Sequence, residues 1–150
     1  MFSLLILHCM TLFLCLNVTV EPGQDAILPC EAPDSKAVIV VEWRKTDLGQ
    51  EYVLQYRDEQ MDPFFQHPSF RNRVDLQDRQ MKAGDVSLVL KNVTTNDTGT
   101  YQCRVQNEGS LDRNIINTVI LNVSASAGCL QRKTLTSHFL LLQLEHIKNF

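Results

Sequence analysis

The sequence predicts an all-β protein in which two sheets pack face to face as a Greek-key sandwich. Three observations carry this. Short stretches of alternating apolar and polar residues recur along the chain, separated by clusters of turn-forming residues. Cys30 is followed closely by Trp43, and much later by Asp97-Thr98-Gly99-Thr100-Tyr101-Gln102-Cys103, which sets a tyrosine two residues before the second cysteine. The patterned region, residues 17–124, has the length of one two-sheet domain of about 100 residues, enough to bury a core without several disulfides.

Each strand follows from period-two parity, since successive side chains on a strand point to opposite faces. Leu28 and Cys30 share an inward face. Ile39, Val41 and Trp43 share the next, which sends Val40, Glu42 and Arg44 outward. In Glu51–Arg57, placing Leu54 inside takes Tyr52 and Tyr56 with it and leaves Val53, Gln55 and Arg57 outside. Residues 58–70 contain Pro63 and Pro68 and alternate poorly, which suits a short edge strand with its loops. Arg73 to Leu76 reads as a strand with Val74 and Leu76 inward. Ala83-Gly84-Asp85 is a turn by composition. Val86, Leu88 and Leu90 line the next inner face. Tyr101, Cys103 and Val105 point in, and Gln102, Arg104 and Gln106 point out. Asn107 to Asn114 is a loop rich in Asn, Gly, Ser and Asp. Val119, Leu121 and Val123 close the core from the last strand.

Phe2 to Leu16 is an apolar run of signal-peptide length, shorter than the roughly 20 residues of a membrane span. It lacks a preceding Lys or Arg and a clean small-residue cleavage site, so an uncleaved anchor or a truncated leader is the alternative. The expected organisation is a leader over 1–16, one domain over 17–124 and a tail over 125–150. In that tail Ser137 would cap a short helix bearing Leu140, Leu144 and Ile147, and no transmembrane helix is expected. Of five cysteines, Cys9 and Cys15 fall in the leader and Cys129 in the tail. Cys129 is a free or intermolecular thiol, or has no defined role.

The Cys30, Trp43, Asp97–Cys103 pattern resembles that of immunoglobulin sandwiches. That resemblance implies a Cys30–Cys103 bridge between facing strands, with Trp43 packed beside it and the Tyr101 hydroxyl tied back to the backbone. The distance between the cysteines favours the nine-strand variable type, or V-set. A narrower resemblance rests on Val41-Glu42-Trp43-Arg44, Tyr56-Arg57, Gln66-His67-Pro68-Ser69-Phe70-Arg71-Asn72-Arg73-Val74 and the run Gly84 to Val93. These look like the V-set domain of the butyrophilin and myelin-oligodendrocyte-glycoprotein group, near the costimulatory ligands of T cells. The resemblance implies an Arg73–Asp97 salt bridge at one end of the sandwich. It also implies a role at the cell surface, or as a secreted form, in binding a receptor on immune cells and adjusting T-cell activation and cytokine production. Homophilic adhesion through a homodimer, and a soluble decoy, are the alternatives.

The expected partner-binding face is the outward set Val40, Glu42, Arg44, Gln55, Arg57, Gln102, Arg104 and Gln106. Arginine is enriched at interfaces, so the arginines of this set would serve as anchors, and Arg44, Arg57 and Arg104, expected near one another, would favour an acidic partner. Four Asn-x-Ser/Thr sequons, at Asn17, Asn92, Asn96 and Asn122, are glycosylation candidates, with Asn122 outward by parity. His8, His67, His138 and His146 stand at no metal-ligand spacing, and neither a nucleophile elbow nor a phosphate loop is visible. With a net charge of −3 and scattered basic residues, nucleic acid is not an expected partner. No catalysis, cofactor, metal or small-molecule substrate is expected.

Overall fold

The computed structural model describes residues 15–33 and 37–125. The rest of the expected leader, the tail with Cys129, and His8, His138 and His146 lie outside the described residues. Nine strands are present among those described: β1 (Cys15–Val20), β2 (Ala26–Leu28), β3 (Val38–Lys45), β4 (Leu54–Arg57), β5 (Gln60–Met61), β6 (Val74–Leu76), β7 (Leu88–Leu90), β8 (Gly99–Asn107) and β9 (Asn114–Val123). They form a six-stranded sheet in the order β1-β9-β8-β3-β4-β5 and a three-stranded sheet in the order β2-β7-β6. Strand β1 runs parallel to β9 and includes Cys15 and Leu16, two residues of the expected leader, in register with Thr118 and Val119.

The core lies between the sheets. Leu28, Val86, Leu88 and Leu90 from one layer meet Val41, Trp43, Leu54, Tyr101, Val119 and Leu121 from the other, all fully or almost fully buried. Cys30 and Cys103 are bonded across the layers, with Cα atoms 6.5 Å apart. Trp43 stands opposite Cys103 in the β3–β8 register and donates its indole N–H to the Val86 carbonyl, 3.0 Å away. That bond satisfies the one polar atom of the largest buried side chain and ties the sheets together. Cys30 N–H donates to the Ser87 hydroxyl at 3.0 Å, a second polar link beside the disulfide.

Three parity expectations require correction. Ile39 was expected inside but is 41% exposed, because the β3–β8 register slips between Val38 and Val40. A slip of one residue exchanges inner and outer faces, so residues 40–45 keep their parity while Ile39 loses it. Val53 was expected outside but is fully buried in the core cluster together with Leu54. The strand begins only at Leu54, and the bend at Val53 turns two consecutive side chains inward. Tyr52, expected in the core, is half-buried with its ring beneath the Arg44 guanidinium.

The end of the sandwich near the β7–β8 turn is closed electrostatically. The Asp97 carboxylate accepts from Arg73 Nη2 at 2.5 Å, from Arg73 Nη1 at 3.3 Å and from Thr94 N–H at 2.8 Å. Thr94 and Asp97 form a capping box on the 3-10 turn Thr95–Asp97. The Tyr101 hydroxyl donates to the Asp97 carbonyl at 2.5 Å. Burial pushes its phenol well above the ordinary tyrosine range, and the Asp97 charge adds to this.

Candidate protein-binding face

The outer face of the large sheet forms rows set by the strand register. Arg44 is opposite Gln102. Glu42 lies between Gln55 and Arg104, and Val40 between Arg57 and Gln106. The expected residues are therefore neighbours on one face, but three of them are not contact points. Val40, Glu42 and Gln55 are buried, with Glu42 only 1% exposed. Parity gives the direction of a side chain, whereas long neighbouring side chains decide whether water or a partner reaches it.

What covers Glu42 is a pair of arginines. Its carboxylate accepts from Arg44 Nε on the same strand and from Arg113 Nη1 at 2.7 Å, across from the 107–114 loop. Burial opposes the charge on Arg113, but the bond to Glu42 and its negative charge outweigh this and raise the guanidinium above its ordinary range. Arg44 lies 4.6 Å above the Tyr52 ring centroid, a cation–π distance. Tyr52 meets Phe65 edge-on at 6.3 Å, and Phe65 meets Phe64 edge-on at 4.6 Å. Phe64 is 79% exposed, so an aromatic step rises beside the arginines.

Arg104 donates to the Gln102 side chain at 3.0 Å, and its buried Nε has no hydrogen-bond partner among the described residues. Arg57, expected to join Arg44 and Arg104, turns instead to Asp62 at 3.7 Å on the β4–β5 hairpin. The third arginine of the cluster is Arg113. Sequence reasoning missed it because residues 107–114 read as a loop, and strand parity says nothing of where a loop side chain folds back. No sequence signal marked Tyr52 and Phe65 as neighbours, since their contact depends on the bridge between Tyr52 and Gln66.

All four sequon asparagines are exposed. Asn17 pairs with Ile120 and Thr19 with Asn122, so Asn17 and Asn122 share the outer face at the β1–β9 margin. Asn92 has a left-handed backbone, φ 50°, and its N–H donates to Asp25 at 2.9 Å. Asn96 lies on the turn that carries Asp97.

A model of the immunoglobulin V-set domain family matches residues 16–124. The chain belongs to the immunoglobulin V-set family. This V-set domain is 36% identical over 86 residues to the mouse V-set domain containing T-cell activation inhibitor 1, covering 56% of this chain and 30% of the relative. It is 38% identical over 97 residues to bovine immunoglobulin superfamily member 11, covering 61% and 22%. Among solved structures, the IgV-like domain of human B7-H4 superposes with a TM-score of 0.62 at 26% identity, covering 71% of this chain and 91% of that one. The V-set chain thus spans less than a third of the length of these two curated relatives. Among the described residues, no helix is long and apolar enough to cross a membrane.

Proposed function

We propose that this V-set protein is an extracellular immune-regulatory ligand that binds a receptor on immune cells and modulates T-cell activation and cytokine production. The observation that carries the reading is the outer face of the large sheet. There half-buried arginines, ordered by Glu42 and by the Tyr52 ring, adjoin the exposed Phe64–Phe65 pair. Arginine and aromatic anchors set before binding cost little entropy to engage, which suits recognition. The likeness to a T-cell activation inhibitor and to the B7-H4 domain supports the same direction, as does the butyrophilin-like motif set. In this reading a leader precedes the binding domain, whose first strand begins at Cys15, and the role is recognition, with no catalytic step. Glycans on Asn17 and Asn122 would cover the β1–β9 margin and leave the β3–β4 half of the face open.

The test is to stain resting and activated lymphocytes with fluorescent tetramers of the glycosylated protein. Binding by the wild type, abolished in Arg44→Ala/Arg104→Ala/Arg113→Ala, is the expected result. If lymphocytes are not stained and the protein self-associates in analytical ultracentrifugation, the ligand reading fails and homophilic adhesion replaces it.

A further inference from the structure

We propose that Glu42 is the latch that holds the 107–114 loop against strand β3 and so sets Arg44 and Arg113 for an acidic protein partner. The partner half of this statement rests on the recognition role proposed above. The loop half does not.

A carboxylate at the middle of a sheet face is expensive to bury, and an apolar residue there would serve stability as well or better. Glu42 is nonetheless almost completely buried, and both its oxygens are used, one by Arg44 and one by Arg113. Arg113 comes from a segment 71 positions away in sequence. Its bond is part of a connected set. Arg113 Nε reaches the Gln106 side-chain oxygen at 3.5 Å, and Gln106 donates to the Ser110 carbonyl at 2.8 Å. The Ser110 hydroxyl accepts from Asp112 N–H at 3.2 Å. On the other side, Glu108 N–H donates to the Ala37 carbonyl at 2.8 Å. The loop tip at Leu111 is 96% exposed, so apolar packing does not hold it, and its position depends on these polar ties. Removing the Glu42 charge would leave two guanidinium groups facing each other with no anion between them, and Arg113 would swing into water.

The same geometry states what the face accepts. Two guanidinium groups, Arg44 and Arg113, hold one carboxylate whose oxygens are already occupied, and Arg104 stands opposite Glu42 in the strand register. The cluster carries excess positive charge on side chains that are still a quarter to a third exposed at Arg44 and Arg113. A carboxylate from a partner protein is the complementary group. Glu42 itself is out of reach, so it acts as a positioning residue.

The experiment compares the glycosylated wild type with Glu42→Gln and Arg113→Ala by amide hydrogen exchange and by lymphocyte staining. Exchange across 107–114 should quicken by about tenfold in both variants, with strands β2, β6 and β7 changing by less than about twofold. The double variant should add little to either single change, because one bond is lost in all three. Unchanged loop exchange in the two variants overturns the latch. If Glu42→Gln is not secreted, Arg113→Ala, whose side chain is partly exposed, decides the same point. In the binding arm, Glu42→Gln should lower tetramer staining, and wild-type staining should weaken with added salt. A loosened loop with undiminished staining overturns the positioning role. A wild type that stains no cell overturns the recognition reading and leaves the loop result standing by itself.

Discussion

Asp97→Asn changes one charge at a carboxylate that is only 3% exposed. Three donors converge on it: two from Arg73, at 2.5 and 3.3 Å, and one from the Thr94 backbone, at 2.8 Å. An asparagine keeps one carbonyl oxygen, so it retains at most part of this set, and its amide would face a guanidinium. Hydrogen bonds to charged groups contribute about 1.5–3 kcal/mol each, and breaking one partner of a buried pair costs about 3–5 kcal/mol. Arg73 softens the loss, because it also donates to the Ser69, Lys91 and Asn92 carbonyls and is one-quarter exposed. The lower end, about 3 kcal/mol, is therefore expected. For a domain of this size 1 kcal/mol moves Tm by roughly 4 °C, so Tm should fall by about 12 °C. Thermal unfolding followed by near-ultraviolet circular dichroism, with Arg73→Lys as the charge-preserving control, reads this directly. A fall of less than about 3 °C would place the pair among exposed surface salt bridges, worth about 0–1 kcal/mol, and would refute the argument that burial makes it strong.

Cys103→Ala opens a disulfide spanning 73 positions, for which chain entropy gives about 4–5 kcal/mol; secretion should collapse, and normal yield with an unchanged Tm would count against the sandwich as the stable unit. The β4–β5 hairpin turns through Asp58 and Glu59, both left-handed with φ 52° and 60°, so Glu59→Gly should gain about 1 kcal/mol of stability, read as a higher urea midpoint at unchanged m, by removing the steric cost at that position. The Arg79 hydrogen bond holds the Asp75 carboxyl below its ordinary value of 3.8, against the opposing effect of burial. A depressed folded value means the contribution is complete above the ordinary value and is lost as pH falls through the folded one. Asp75→Asn should therefore be slightly less stable than wild type at neutral pH, and the gap should close between about pH 5 and pH 2 in urea titrations; a gap independent of pH would assign it to packing.

The core was legible in the chain because it rests on local periodicity and a few residue types. Leu28, Val86, Leu88, Leu90, Tyr101, Cys103, Val105, Val119, Leu121 and Val123 all lie buried on the parity expected for them. Parity is a property of each strand alone, and it holds wherever the strand is regular. Where a strand slips or bends, at Ile39 and at Val53, it fails, because the irregularity is set by pairing with a neighbour distant in sequence. The face offered to a partner was legible only as a list of outward residues. Its working composition was not legible: Glu42 and Gln55 are covered, Arg57 goes to Asp62, and Arg113 and Tyr52 enter.

The alternating strands in the sequence pointed to the all-β sandwich, and its resemblance to immunoglobulin sandwiches implied the cysteine pair, the indole beside it and the Arg73–Asp97 closure. Which charges meet on the outer surface was decided only in three dimensions. There a side chain's neighbours come from strand register and from a loop folding back across the sheet, and neither distance is written in the order of the residues.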